Sequence, residues 1–272
     1  MLRTQLQLLS LLYLYKHQHA LQVIKFVDKP SGTCEIDIKV ALSTPVRGLV
    51  LRICEAGWLF RRVSQFSKSR SALAAGGLML QGFISGIQDE LSEYYRLVAI
   101  LQAQIGTDGS IGDLTLRKLV VWTQEPVQRL RLMALLCHAA QGKKGGELVS
   151  ALAAHIRHGD VLVNSLCRKL VRPACAPLLQ MIRLWVEDGE LWDPHDEFFV
   201  ACDFSLDDRR WKEKYSLRAA MVPSMLSSEL ARLVLIAGKS INFIRRCCGE
   251  VAYAPSVKLP ELSQLDMDDV EV

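Results

Sequence analysis

Leucine falls on most faces of a helical wheel drawn through residues 2–15, the pattern of a helix buried among other helices rather than one lying on a surface. Two short runs follow, QVIKFV and TCEIDIKV, on either side of Asp28-Lys29-Pro30-Ser31-Gly32. The second run alternates Cys34, Ile36, Ile38 and Val40 with polar residues, so a β-hairpin over about 22–41 is expected, as the only sheet of the chain. After Pro45 the apolar period changes to that of helices. Leu49, Val50, Ile53, Trp58, Leu59 and Val63 mark one helix from Arg47 to Phe66, and a polar linker follows over Ser67–Ser71. Gly76 and Gly77 introduce a long helical segment to Ile105, carried by Leu91, Tyr94, Tyr95, Val98 and Leu101.

Gly106 to Gly112 breaks the period, and helix is expected again near Asp113, with Pro126 as the first-turn residue of a separate helix that stops at Gly142. Glu147 opens a helix closed by Gly159, and Asp160 is placed to cap the next one. Pro173 and Pro177 predict a kink or break before Leu178. The stretch LWVEDGELWDPHDEFFV, residues 184–200, organises the rest: Gly189 reads as a left-handed helix stop, and Asp193-Pro194 as the cap and first residue of a new short element carrying Phe198, Phe199 and Val200. There Trp185, Trp192, Phe198 and Phe199 are expected to wedge helices apart. Beyond a charged loop, Asp203–Arg210, a helix with Trp211, Tyr215, Leu217 and Met221 should end before Pro223, and a last helix runs from Ser228 to Cys248. The predicted class is mainly α, stacked helical bundles with one small β-hairpin near the N-terminus. A helical domain over 1–249 is expected to precede an acidic, disordered tail over 250–272.

Composition narrows this only a little. Half of the residues are hydrophobic and 23% are charged, enough apolar surface for a sizeable core. A net charge of +4 points to neither nucleic acid nor membrane as a partner. The eight cysteines, at 34, 54, 137, 167, 175, 202, 247 and 248, lie mostly within helical patterns and form no CxxC pair, which fits thiols in a reducing compartment. The charged, apolar start lacks a small-x-small cleavage site, and no run nears the roughly 20 apolar residues of a membrane span. A soluble intracellular chain is therefore expected.

Candidate chemistry is sparse. Gly238-Lys239-Ser240 resembles the end of a phosphate loop, but the glycine required five residues earlier is Leu233, and the segment lies within a helix; Gly238 is better placed for close approach of a neighbouring helix. The loop Gly142-Lys143-Lys144-Gly145-Gly146 could cradle an anion, yet Glu147 occupies the anion's place. His195, Asp196, Glu197 and Cys202 tempt a metal reading that no second cluster supports, and His155 and His158 lack the acidic partner of an HExxH arrangement. No GxSxG is present. The residues name no catalytic, cofactor-binding or metal site, and an enzyme is not expected.

Longer segments carry more information. GWLFRRV (57–63), QDELSEYYRLVAILQAQ (88–104), LTLRKLVVWTQEP (114–126), RLRLMALL, QGKKGGEL, RHGD (157–160), DGELWDPHDEFFV (188–200), WKEKYSLRAAMVPS (211–224) and GKSINFIRRCC (238–248) together closely resemble the N-terminal helical domain of gamma-tubulin complex components, of the component-three type. The resemblance runs from about residue 20 to 249. It implies stacked helical bundles that pack side by side with neighbouring components, in an assembly that arrays gamma-tubulin as a template for microtubule nucleation. It further implies a non-catalytic scaffold subunit without cofactor, in the cytoplasm and cytoskeleton at microtubule-organising centres and spindle poles. The implied partners are other components of the complex, laterally and of the component-two type, and gamma-tubulin, directly or only through the complex.

Two departures from the family accompany the resemblance. The family carries a second helical domain after this one, which makes the main gamma-tubulin contact, whereas this sequence ends at Val272; the alternative expectation is a truncated regulatory fragment that occupies a lateral site and limits assembly. The LQGIDG-like turn of the family is missing around Lys16–Ala20, so the first 20 residues are expected to be arranged differently. No partner-binding residue is assigned.

Overall fold

The computed structural model describes residues 24–26, 34–36, 43–69, 77–103, 115–203, 205 and 211–247. The expected helix at 2–15, the arrangement of residues 1–20, the hairpin loop Asp28–Gly32, the linker after Ser69, the stretch Gly106–Asp113, most of the loop Asp203–Arg210 and the tail 250–272 lie outside the described residues. Those described are mainly α.

The chain divides into two compact units that interleave in sequence: residues 1–69 with 87–138, and residues 70–86 with 139–272. In the first unit, strands β1 (Ile24–Phe26) and β2 (Cys34–Ile36) pair antiparallel, Ile24 opposite Ile36 and Phe26 opposite Cys34. Helix α1 (Thr44–Lys68) begins with Pro45 in its first turn, where a missing N–H removes no helical bond. Helix α2 (Leu78–Ala103) enters this unit at Ile87, and α3 (Leu116–Ala140) supplies its residues to His138. The core is built from Ile53, Phe60 and Val63 of α1, Leu91 and Leu101 of α2, and Leu130 and Leu136 of α3. Phe60 stacks on Tyr94 at 5.2 Å and meets the edge of Tyr95 at the same distance. Across α1 and α3, Arg131 Nε and Nη2 donate to the two oxygens of Glu55 at 2.6 and 2.8 Å.

Pro126 lies inside α3, not at the start of a separate helix. A proline withdraws one donor, and a helix of 25 residues anchored by Val127, Leu130 and Met133 in the core absorbs that loss.

The second unit contains the first nine residues of α2, then α4 (Gly145–Ala153) and α5 (Val161–Asp188). After these come strand β3 (Val200–Cys202), the single-turn helix α6 (Trp211–Lys214), strand β4 (Tyr215–Leu217), a 3-10 turn at Ala219–Met221 and helix α7 (Ser228–Cys247). Asp160 caps α5 as its sequence position implies, accepting from Leu162 N at 2.9 Å. Neither Pro173 nor Pro177 interrupts α5, which contradicts the expected break. Pro177 cannot donate to the carbonyl of Pro173. Gly82 of α2 lies against that oxygen so closely that a Cβ there would sit 2.1 Å from it. Packing against α2 thus holds a helix that its own backbone bonds hold less well.

The expected first sheet is joined by a second, which the sequence did not suggest. β3 and β4 pair antiparallel with Val200 opposite Leu217 and Cys202 opposite Tyr215. A helix through Tyr215, Leu217 and Met221 was expected there; the chain instead turns from α6 directly into a strand. The reason lies across the ladder, where Arg218 N donates to Phe199 O at 2.7 Å and Asp203 N to Lys214 O at 2.8 Å. Partners supplied by a distant segment outweigh a local helical period.

Candidate functional site

Within the second unit the stretch 188–200 is the junction on which its other elements converge. Gly189 adopts φ +65°, the left-handed conformation open to glycine at little cost, and ends α5 as expected. Asn242 Nδ2 of α7 donates to Gly189 O at 2.7 Å, and Arg245 brings its guanidinium to Asp188, donating to its carbonyl and lying 3.5 Å from its carboxylate. The C-terminal turn of one helix is therefore tied by the C-terminal turn of another. A cation placed there also offsets the negative end of the α5 dipole.

Asp193 does not start a helix. Its carboxylate accepts from Glu197 N at 2.8 Å and from Phe198 N at 3.0 Å, closing a loop that feeds β3. Arg218 bridges to this loop, with Nη2 donating to Asp196 Oδ1 at 3.0 Å and Nη1 lying 3.8 Å from Asp193 Oδ2. Phe198 and Phe199 are fully buried with their rings 4.5 Å apart, and Trp185 is buried as well. Trp192, the fourth expected wedge residue, is instead 40% exposed.

Glu197 has the least usual setting. Fully buried, it accepts through Oε2 from Leu78 N at 2.6 Å and from Met79 N at 3.3 Å, so it caps the N-terminus of α2 from 119 residues away. Burial pushes its carboxyl above the ordinary value, opposed by those two backbone bonds and by nearby His195. Oε1 has no hydrogen-bond partner among the described residues. The arrangement holds a helix end by its orphan N–H groups and its positive dipole end.

The residues that suggested metal or catalysis are thus dispersed into separate tasks. Asp196 pairs with Arg218, Glu197 caps α2, and Cys202 lies in β3. His158 Nδ1 accepts from Asp160 N at 3.1 Å, and His155 sits in the turn after α4. Among the described residues no group of three or more His, Cys, Asp or Glu is arranged to hold a metal ion. Of the glycines that suggested phosphate binding, Gly145, Gly146 and Gly238 lie closely against protein, whereas Gly142 has open space where a side chain would stand. A Cβ at Gly146 would lie 1.7 Å from Met221 O, and one at Gly238 would lie 2.0 Å from the Trp185 ring, the close helix approach expected of that residue.

Several large apolar side chains are exposed in each unit: Val121, Trp122 and Leu135 on α3, and Leu230, Leu233 and Ile236 on α7. Sequence reading assigned none of these to an exposed surface. The available signal was an excess: α7 carries apolar residues over more than half of its wheel, more than one buried face needs.

The sequence model of the family described as "Gamma tubulin complex component N-terminal" matches residues 8–271. The chain belongs to that family. It is 40% identical over 222 residues to "Gamma-tubulin complex component 3 homolog" of Xenopus laevis, covering 79% of this chain and 24% of that protein. It is 38% identical over 233 residues to "Gamma-tubulin complex component 3" of Homo sapiens, covering 83% and 26%. "Spindle pole body component 98" of Dictyostelium discoideum is 35% identical over 250 residues, 76% of this chain and 31% of that protein. The chain spans about a quarter of the length of the component 3 relatives it matches. Within this gamma-tubulin complex component region, the junction at 188–200 ties helix ends together, and α3 and α7 carry exposed apolar side chains. No helix of the described residues is long and apolar enough to cross a membrane.

Proposed function

We propose that this chain acts as a non-catalytic scaffold in a gamma-tubulin complex, making lateral contacts with other components, those of the component-two type among them, so that the assembly templates microtubule nucleation. The observation that carries the reading is the family match across residues 8–271 together with 38–40% identity to component 3 relatives. The build of the molecule supports it. Exposed Trp122 and Val121 on α3 have the character of interface anchors.

Gamma-tubulin itself is proposed as a partner reached directly or through the complex. The place of action is then the cytoplasm and cytoskeleton at microtubule-organising centres, in keeping with the spindle pole body named in the Dictyostelium relative. Light scattering tests the lateral contact directly. Mixed at tens of micromolar with the N-terminal region of a component-two protein, the chain should form a heterodimer with Kd of about 10 μM, roughly 7 kcal/mol. Two unassociated species at that concentration would overturn the proposal.

A further inference from the structure

Arg47, Leu51, Glu55, Trp58 and Arg62 follow one another three or four residues apart on one face of α1, along about 22 Å at 1.5 Å per residue. It is the side of the helix turned away from Ile53, Phe60 and Val63 in the core. All five are exposed or half-buried, Leu51 by 38%. Helix α3 runs beside it in the same direction, since Arg131 pairs with Glu55 at 2.6 Å and the charge of Arg62 is felt at Cys137. On the side of Arg131, α3 adds Val121 and Leu135, both exposed. The two helices together present apolar side chains and guanidinium groups on one surface.

Charge gives this surface its character. Helix α1 carries five basic residues and a single acidic one, Glu55, and Arg131 takes both oxygens of that carboxylate. Arg47, Arg61 and Arg62 meet no carboxylate among the described residues. Arg62 lies over the Trp58 ring, 5.5 Å from its centroid, a contact that steadies the guanidinium and leaves its N–H edge open to an acceptor.

These charges select among possible occupants. A second copy laid on the same face would oppose arginine to arginine, which disfavours self-association. Phosphate-rich partners fit less well than protein, because Leu51, Trp58 and Leu135 stand between the cations and Glu55 lies in their midst. Arginine and tryptophan amid exposed aliphatic side chains are the make-up of a protein interface, where arginine is enriched and lysine depleted. The complementary occupant is a protein face with carboxylates beside apolar residues, and two helices side by side offer the groove in which an amphipathic helix lies.

We propose that the outward face of α1 and α3, around Trp58, Arg61, Arg62 and Leu135, is the surface through which this chain makes its lateral contact, and that the partner covers it with an acidic, amphipathic helix face. The inference rests on the lateral contact proposed above and adds to it the surface used and the charge of the partner's side.

Calorimetric titration of the full chain with the N-terminal region of a component-two protein tests it, on variants whose urea midpoints match wild type. Arg61→Glu combined with Arg62→Glu should weaken binding about tenfold or more, and Leu135→Asp should do the same without removing a cation. Leu233→Asp, at an exposed leucine of α7, should bind as wild type. Affinity should also fall several-fold between about 0.05 and about 0.5 M salt. Full binding by either variant of the face, a loss shared by Leu233→Asp, or an affinity indifferent to salt would overturn this assignment and leave the lateral contact standing. No binding by wild type would overturn both. A chain that dimerises alone, or that binds single-stranded RNA or phosphatidylserine vesicles, and loses that association on the double charge reversal while component-two binding is kept, would give the face to another occupant and overturn the proposal.

Discussion

The indole of Trp185 fills the space over Gly238 where any side chain would stand, and a Cβ on that glycine would come within 2.0 Å of the ring. The same indole donates its Nε1–H to Val234 O at 2.9 Å and meets Tyr215 edge-on at 4.9 Å. A single aromatic residue thus sets the separation of α5 from α7 and reaches β4. Gly238→Ala is expected to cost about 1–3 kcal/mol through overpacking. Trp185→Phe, which removes the hydrogen bond with most of the volume kept, should cost about 1–3 kcal/mol. Urea midpoints would measure both, and an unshifted midpoint for Gly238→Ala would mean that the two helices are not in this contact.

Glu197 gives a pH signature. Its carboxyl is raised in the folded state by burial, so the folded protein holds that proton more tightly than the unfolded chain does. Stability contributed by this group is present below the ordinary carboxyl value of 4.5 and is lost as pH rises through the raised one. Glu197→Gln keeps an acceptor for Leu78 N and has no such proton. Relative to wild type, the Gln variant should gain stability as pH climbs from about 4.5 upward. Parallel pH profiles for the two proteins would contradict this.

Two arginines on α3 should behave differently on removal. Arg131 and Glu55 are both partly in solvent, so Arg131→Met should cost under about 1 kcal/mol despite good geometry. Arg129 lies 3.4 Å from Glu90, whose side chain is only 1% exposed. Arg129→Met leaves a buried carboxylate with less compensation and should cost more, about 1–3 kcal/mol. Equal losses in thermal or urea unfolding would show that burial of Glu90 does not matter.

Thiol reactivity offers a test of the cores. Burial pushes Cys137 and Cys175 up to about 12. As the thiolate is the reacting form, both should resist an aromatic disulfide reagent in the native protein and react once urea unfolds it. Half-buried Cys202 should react sooner. Immediate labelling of Cys137 or Cys175 in buffer would place them outside a packed interior.

Local rules were enough for much of the chain. α1 from Pro45, the cap at Asp160, the left-handed stop at Gly189 and the first strand pair all follow from turn chemistry and apolar period, because their determinants lie within a few residues. Asp193 misled for the same reason: Asp-Pro is a good helix start, yet its carboxylate was needed for the backbone of Glu197 and Phe198. The metal reading at His195, Asp196 and Glu197 found no support in the sequence, and in the closed loop Asp196 turns to Arg218 and Glu197 to Leu78. The exposed apolar side chains of α3 and α7 could be read only as surplus hydrophobicity.

The amino-acid sequence alone determined a mainly helical chain and its family, since helical period and long matched segments are properties of the string. Tertiary structure decided which apolar face of each helix is buried, that α5 passes unbroken through two prolines, and that Tyr215–Leu217 is a strand. Each of those outcomes depends on a partner supplied from far along the chain: Gly82 against Pro173, Glu197 on Leu78, Phe199 on Arg218. The free energy of such a contact exists only after the loop between its partners has closed, so no local window of sequence contains it.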